Sequence, residues 1–585
     1  MYTIQNLVFP KTSINAPKGL YYMTENGIAY PDKDEVSLII PKNTITSLGT
    51  YFNYFSLRTW HSYCDLKDLS FKIEGSGEFI LTLYISKLEV ASEVILEEHI
   101  SLNQSEAHVK IPYEKLDNGI LFFKITTKTD CTIQSGCFYT KSKPLNDVKL
   151  GIVITHFNRK QYVLPAIERI RSQLLSHSEF KDHIELIVVD NSKNITAEES
   201  KGVTVIPNEN YGGSGGFTRG LLHLKDNGFT HCLFMDDDAS CEIESIIKTF
   251  RLLQYSKTPK LAISGSMLYE EHPEILHEKG AVFKELVFRP LYHGLNMMDF
   301  HHLQITDLGF EKPDYGAWWL FAFNISDVKN YPFPFFVKGD DMLFSFMNDF
   351  NIITVNGIAV WGENFSYKDG PFAKYLSIRA NYVICLLATH TPLKKYIKNY
   401  LNLIKLALFS FNYDSARATS LGLKDVMEGP DFWSRNMSFA SISKRVSHLT
   451  FEEKMKKLDM SGLGLKFLPF HESKLNRVIR MLTLNSFLLP KFLIKSDIVY
   501  NNKAFHGVFR QLFRAKQVVY YSNRYDTGYI ARYDRKRFFE ELAYSFKIMY
   551  QFIRCFHVLK KQYRKVAPKF MTEQFWRNVY KDTKK

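Results

Sequence analysis

The chain has 585 residues, 45% of them hydrophobic, with 75 Lys/Arg against 61 Asp/Glu and a formal charge of +14. That length is too great for one hydrophobic core and predicts about three to four domains of ordinary globular composition. Seven scattered cysteines without a C-x-x-C pair exclude a disulfide framework and a zinc site, and no apolar run reaches the roughly 18 residues that a spanning helix needs.

The opening MYTIQNLVFPKTSINAPKGL has no basic stretch followed by an apolar one, so no secretory leader is read and an intracellular protein is expected. Residues 1–147 read as a small β-sandwich. Runs such as GEFILTLYISKLEV, HVKIPY and GILFFKITTKTDCTI alternate or are rich in β-formers, and Gly, Asn, Asp and Ser separate them. The polar KSKPLND at 141–147 suits a linker.

From 148 to 390 apolar runs alternate with helical spacing, and VKLGIVITHF, IELIVVDNS, VTVIPNE and THCLFMDDD each close on polar or glycine-bearing residues. The alternation predicts a doubly wound parallel sheet. Ligands of such sheets bind beyond the carboxyl ends of the strands, so the closing residues are the functional candidates.

Residues 391–585 show helical spacing and hold 38 Lys/Arg against 15 Asp/Glu, which leaves the first 390 residues net acidic. Cationic helices at YIKNYLNLIKLALFSF and FKIMYQFIRCFHVLKKQYRKV suit either a packed domain with a basic surface or attachment to an anionic membrane.

Several motifs carry chemistry. The first strand closes on Thr155, His156, Phe157, Asn158 and Arg159, the second on Asp190, Asn191 and Ser192. An amide or carboxylate there can bond a nucleobase or ribose, an aromatic ring can stack on the base, and Arg neutralises phosphate; Asp-Asn after a strand is equally turn chemistry. The segment NENYGGSGGFTRG, from Asn208 to Gly220, opens a helix with four glycines in five residues. It suits a diphosphate at free backbone amides, with Arg219 adding charge, or else a flexible turn.

Asp236, Asp237 and Asp238 end a buried strand. Three adjacent acids repel one another unless a cation compensates, and a hard divalent ion bridging to a diphosphate would do so; an acidic helix cap is the alternative. Adjacent Trp318 and Trp319 face opposite ways if they lie in a strand, so at most one meets a ligand. Asp340 and Asp341 begin a helix, where one acid suffices as a cap and the other could take a proton from an acceptor hydroxyl.

The ordered set THFNR, VVDNS, NENYGGSGGFTRG, FMDDDAS, GAWWLFAF and FPFFVKGDD resembles the family-2 glycosyltransferases, and among them the bacterial galactofuranosyltransferases. LGTYFNYFSLRTW resembles the β-sandwich which that subgroup carries ahead of its catalytic domain. The resemblance spans roughly residues 45–385 in motif order. It implies an α/β GT-A (Rossmann-like) catalytic domain between an N-terminal β-sandwich and a mainly α-helical C-terminal region. Thr155, Phe157, Arg159, Asp190 and Asn210 would contact uridine diphosphate, and Asp237 the donor sugar. Asp236 and Asp238 would hold Mn2+ or Mg2+, Asp341 would be the general base, and Trp318, Trp319 and Asp340 would line the acceptor site. Where the family places a histidine as third metal ligand this chain has Gly362, so Glu363 or solvent fills the position. Tyr375, Arg379 and Asn381 resemble a family helix with one residue inserted.

The expected function is inverting, metal-dependent transfer of galactofuranose from UDP-galactofuranose to a hydroxyl of a lipid-linked cell-surface polysaccharide. The acceptor is expected on a polyprenyl diphosphate, with the protein at the cytoplasmic face of the membrane. Another UDP- or dTDP-hexose, such as glucose, galactopyranose or rhamnose, is the alternative donor. A non-catalytic carbohydrate- or nucleic-acid-binding protein is the competing class; it leaves the acidic triplet unexplained, and no nucleic-acid module is recognisable. The resemblance leaves linkage, processivity and oligomeric state open.

Overall fold

The computed structural model describes residues 1–449, 452–461, 463–466, 472–503 and 509–582. The N-terminal region is an antiparallel β domain dominated by the hairpin of Leu69–Ser86 and Glu93–Ile111. Its first strand serves two stretches of sheet, pairing with Cys131–Thr140 through Ser70–Ser76 and with Ile120–Thr127 through Phe79–Ser86. The change of partner falls at Gly75 and Gly77, where a Cβ would lie 2.1 Å from the Thr132 carbonyl and 2.7 Å from that of Asp130. A glycine pair lets the strand bend and the neighbouring backbone approach. Phe71, Phe123 and Phe138 fill the core beneath, with the Phe71 and Phe123 centroids 4.2 Å apart.

The next sheet runs, in spatial order, Thr204–Pro207, Ile184–Asp190, Leu150–His156, His231–Asp236, Phe321–Asn324, Leu261–Tyr269 and Leu276–Glu278, with Asn351–Gly362 also paired to Leu261–Tyr269. The first four strands are parallel, as expected. The expected all-parallel sheet is otherwise corrected: Phe321–Asn324 runs antiparallel to both its neighbours. A sheet that changes direction beyond the strand carrying the acidic triplet is a GT-A-like arrangement, and it ends the parallel half where ligands bind.

Helix Ile243–Tyr255 is buried along its whole length, between the N-terminal strand Tyr2–Asn6 and the strand Asn351–Gly362. Its charged groups are therefore partnered internally. Glu244 accepts from the backbone and side-chain amides of Asn6, both at 2.8 Å, and Lys248 donates to the Asn356 carbonyl at 3.1 Å. Just before the helix, Glu242 accepts from the Tyr21 hydroxyl at 2.6 Å.

The C-terminal region is mainly helical. Leu393–Phe409 and Arg535–Val566 bury Tyr396, Tyr400, Phe552 and Phe556 against one another and their neighbours. These are the two helices whose apolar faces suited a membrane, and the structure spends much of those faces on internal packing. Among the described residues no helix is long and apolar enough to cross a membrane.

A five-stranded sheet, which helical periodicity did not announce, joins Lys456–Lys457, Thr527–Arg532, Ala515–Ser522, Lys495–Asn502 and Leu465–Lys466. Two of its strands have only two residues each and the others carry charged residues, so alternation is weak. The final helix, Glu573–Asp582, returns to the catalytic region, where Trp576 Nε1 donates to the Pro332 carbonyl at 2.8 Å and the Tyr580 hydroxyl to that of Gly215 at 2.6 Å.

Replacing Glu244 by Ala strands two Asn6 donors at this junction, at a cost of about 1–3 kcal/mol. A lower unfolding temperature than that of Glu244→Gln, which keeps an acceptor, is expected in a thermal melt; equal melts would show that the bonds do not hold the junction.

Candidate active site

Pairing register sets the site. Thr155 lies opposite Asp236, and His156 opposite Asp190, so the closing residues of three parallel strands share one edge. Asp190 is buried and accepts from Ser192 N, Ser192 Oγ, Asn194 N and Ile195 N at 2.7–2.9 Å. Burial opposes its ionisation, yet these donors outweigh it and hold the carboxyl below its ordinary range. Its oxygens thus frame the turn, the alternative left open for Asp-Asn after a strand. Phe157 is 38% exposed, its ring 6.2 Å from that of Phe439. The Asn210 side chain accepts from Gly212 N at 3.1 Å, so it too shapes a turn.

Arg159 Nη1 bridges Asp237 Oδ1 at 3.0 Å and Asp238 Oδ2 at 2.7 Å. Buried His156 puts Nδ1 at 3.6 Å from Asp237 Oδ2 and its other nitrogen at 3.1 Å from Asn194 Oδ1. The carboxyl of Asp236 is pushed well above its ordinary range, first by burial and then by the charges of Asp238, Asp237, Asp340 and Asp341. The two acidic motifs, about a hundred residues apart in sequence, therefore occupy one electrostatic site.

The glycine cluster explains how they meet. A Cβ on Gly212 would lie 2.1 Å from the Phe336 carbonyl oxygen, one on Gly216 2.3 Å from the Thr155 side chain, and one on Gly220 2.3 Å from Val153. Helix Gly212–Asp226 thus lies directly on the Leu150–His156 strand and under the 336–340 loop. Ser214 N donates to the Phe336 carbonyl at 3.2 Å and Ser214 Oγ to Asp340 Oδ2 at 3.1 Å. The expected diphosphate cradle is corrected accordingly: these glycines serve close packing, and Arg219 stacks over the Tyr580 ring at 5.1 Å.

Asp340 is buried and Asp341 half-buried, its Oδ1 accepting from its neighbour Met342 N at 2.7 Å. Burial raises both carboxyls, and the charge of Asp341 raises Asp340 further. Nearby Glu278 is pushed up to about 8 by burial and then by Asp341, and it accepts from the Tyr315 hydroxyl at 3.3 Å.

The two tryptophans part company. Trp318 packs among Phe217, Phe234 and Phe344, with centroids at 5.0–5.7 Å, and belongs to the core. Its expected place beside an acceptor is corrected. Trp319 donates from Nε1 to the Gly265 carbonyl at 2.9 Å and lines a cleft with Asp236, Asp238, Trp361 and Phe365. The buried guanidinium of Arg379 lies 4.6 Å over Trp433 and 4.7 Å over Tyr375, away from that cleft's lining.

Glu363 lines the cleft, but its oxygens go to Lys368 Nζ at 3.1 Å and to the Tyr525 hydroxyl. Lys368 also donates to Asp238 Oδ2 at 3.2 Å. Among the described residues no three His, Cys, Asp or Glu side chains converge as a metal-holding group.

Residues 4–141 match the family Galactofuranosyltransferase 2 N-terminal, and residues 151–280 match Glycosyl transferase family 2. The chain carries a family 2 glycosyltransferase domain. Galactofuranosyltransferase GlfT2 of Mycobacterium tuberculosis (strain ATCC 25618 / H37Rv) is 24% identical to it over 428 residues, 68% of this chain and 67% of that one. GlfT2 of Mycolicibacterium smegmatis is 24% identical over 433 residues, 68% and 66% of the two chains. The match thus spans about two thirds of each relative. The mannosyltransferase PcManGT from Pyrobaculum calidifontis, solved with GDP-Man and Mn2+, overlaps with a TM-score of 0.30 at 14% identity, covering 49% of this chain and 77% of that one.

Sequence reasoning passed over three residues of this glycosyltransferase's site: Glu278, Lys368 and Tyr525. Single charged or hydroxyl residues in LHEKG, SYKDG and NRYDT carry no spacing signal; only folding brings Lys368 into the cleft, Tyr525 onto Glu363 and Glu278 near Asp341.

Truncating Trp318 to Ala leaves a core cavity worth about 3–5 kcal/mol. The variant is expected to melt well below wild type. A melt unchanged from wild type would return Trp318 to the ligand side.

Proposed function

We propose that this glycosyltransferase transfers galactofuranose, with inversion, from UDP-galactofuranose to a hydroxyl of a lipid-linked cell-surface polysaccharide. The observation that carries the reading is the convergence of the Asp236–Asp238 triplet with Asp340 and Asp341: Asp236 lies opposite Thr155, Thr155 packs on Gly216, and Ser214 of that same helix bonds Asp340. It is joined to an N-terminal domain of the galactofuranosyltransferase 2 type.

Asp341 takes the acceptor's proton on its carboxylate as the hydroxyl oxygen attacks the anomeric carbon and the bond from that carbon to the diphosphate breaks. Raised affinity for a proton is what a base working near neutral pH needs. Asp340, fixed by Ser214, keeps the pair oriented beside the acceptor. Arg159 offers positive charge to the departing UDP, Phe157 stacks on the base, Thr155 and Asn210 border the nucleotide, and Trp319 forms the wall beside the sugars. Asp237, held by Arg159, supports the donor side. Asp190 frames the nucleotide turn rather than offering a free acceptor.

Asp236 and Asp238 fit Mn2+ or Mg2+ as two carboxylate ligands, with donor oxygens and water completing the sphere. A metal ion bound there would supply Lewis-acid charge to the diphosphate. The third protein ligand does not fit: Gly362 has no donor, and Glu363 is engaged by Lys368 and Tyr525.

A cationic C-terminal region favours an anionic membrane surface as the place of a lipid-linked acceptor. Helix Lys474–Leu482 supports this better than the helices singled out by sequence, because Leu475, Val478 and Leu482 are exposed on it next to Lys474 and Arg477. Another UDP- or dTDP-hexose remains the second donor reading.

Asp341→Asn is expected to lower transfer by at least about a hundredfold, within the usual range for a general base, while UDP binding persists; near wild-type turnover would sink the assignment. Because a base works ionised, kcat/KM is expected to fall on the acid side at a pH clearly above the ordinary aspartate value of about 3.9. A pH profile flat down to that value would overturn the assignment. In a donor screen, UDP-galactofuranose is expected to give the fastest metal-stimulated UDP release; faster release from UDP-galactopyranose would favour the second donor reading.

A further inference from the structure

Lys368 ends the short turn Phe365–Lys368, whose start is fixed by Asn364 Oδ1 accepting from Ser366 N at 3.0 Å and Ser366 Oγ at 2.6 Å. Its ammonium lies 3.2 Å from Asp238 Oδ2 and 3.1 Å from Glu363 Oε2, inside the lining of the cleft that holds Asp236 and Trp319. Asp238 Oδ2 thus accepts two cationic donors, Arg159 and Lys368.

The two cations differ in what holds them. Arg159, 37% exposed, bonds two adjacent members of the triplet, whereas Lys368, 42% exposed, is a single ammonium between one triplet acid and Glu363. Glu363 is itself anchored from the far side by Tyr525, on the turn between Ala515–Ser522 and Thr527–Arg532. That turn is clamped in place by Arg524, whose Nη1 lies 2.7 Å from Glu271 Oε1. At the neighbouring position 362, a Cβ would meet Met267 Cε at 2.6 Å, so the cleft wall is closed there to a larger residue unless Met267 moves. Lys368, six residues further on, adds a second positive charge beside Asp238, next to that of Arg159.

We propose that Lys368 is a donor-binding residue: its ammonium contacts the diphosphate of the nucleotide sugar. UDP binding would then keep a component that needs no divalent metal. This rests on the nucleotide-diphosphate reading above. A compact ammonium with three donors can keep one carboxylate contact while turning another bond to a phosphate oxygen, which Asp238 and Glu363 cannot do.

The test is calorimetric titration of UDP into the full chain, in EDTA and in Mn2+. Wild type is expected to bind under both conditions. Lys368→Gln is expected to lose about tenfold in affinity in EDTA, as for one charge-assisted contact, and less in Mn2+, while Lys368→Arg stays closer to wild type. The double variant Lys368→Gln with Glu363→Gln is expected to remain weak. Wild-type binding confined to Mn2+, an unchanged Lys368→Gln in EDTA, or recovery in the double variant would each overturn direct contact. Failure of wild type to bind UDP even in Mn2+ would instead remove the donor reading itself.

Discussion

Repulsion among carboxylates organises this protein. Asp236, Asp237 and Asp238 close one strand, and Asp340 and Asp341 open a helix within electrostatic reach of them. At an effective dielectric of about 20, two like charges at about 4 Å repel by about 4 kcal/mol, so such a group persists only with compensation. Arg159 and Lys368 supply part of it, both at Asp238 Oδ2, and burial raises the proton affinity of Asp236, Asp340 and Asp341. A donor diphosphate entering this cleft adds negative charge, which makes cations the limiting resource of the site.

Holding the acids together requires the backbone to come close, and that explains the glycines. Side chains at Gly212, Gly216 or Gly220 would push the helix away from the strand or the 336–340 loop. Asp340, bonded to Ser214 on that same helix, would then lose its anchor. The chain's last helix presses on the same element through Tyr580 and Gly215. The N-terminal domain acts from the other side, burying helix Ile243–Tyr255 directly after the triplet strand. The C-terminal sheet reaches the cleft rim through Tyr525. Parts remote in sequence thus support one small cleft, and none of the three regions is merely appended.

The tryptophans and the glycine motif show where local reasoning stops. Opposed facing of Trp318 and Trp319 is expected only in a strand; both lie in the turn just before Phe321–Asn324, and which of them meets the cleft depends on what packs around each. Phe217, Phe234 and Phe344 claim Trp318. A glycine-rich helix start serves phosphate binding and tight packing equally well as a pattern; the Phe336 carbonyl over Gly212 decides for packing. Likewise the amphipathic helices near 393–409 and 535–566 carry apolar faces that suit a membrane or a neighbour, and here they largely meet each other.

By itself the sequence determined the α/β alternation, the β-rich start, the edge at which the functional residues gather and the order of the motifs, because apolar periodicity and strand-end chemistry are local properties. Tertiary structure alone decided the antiparallel Phe321–Asn324 strand, the C-terminal sheet and the roles of Glu278, Lys368 and Tyr525. It also decided that Glu363 faces an ammonium and a phenol. These depend on distances between residues far apart in the chain, and Coulomb energy and packing respond to distance in space, which spacing along a sequence does not encode.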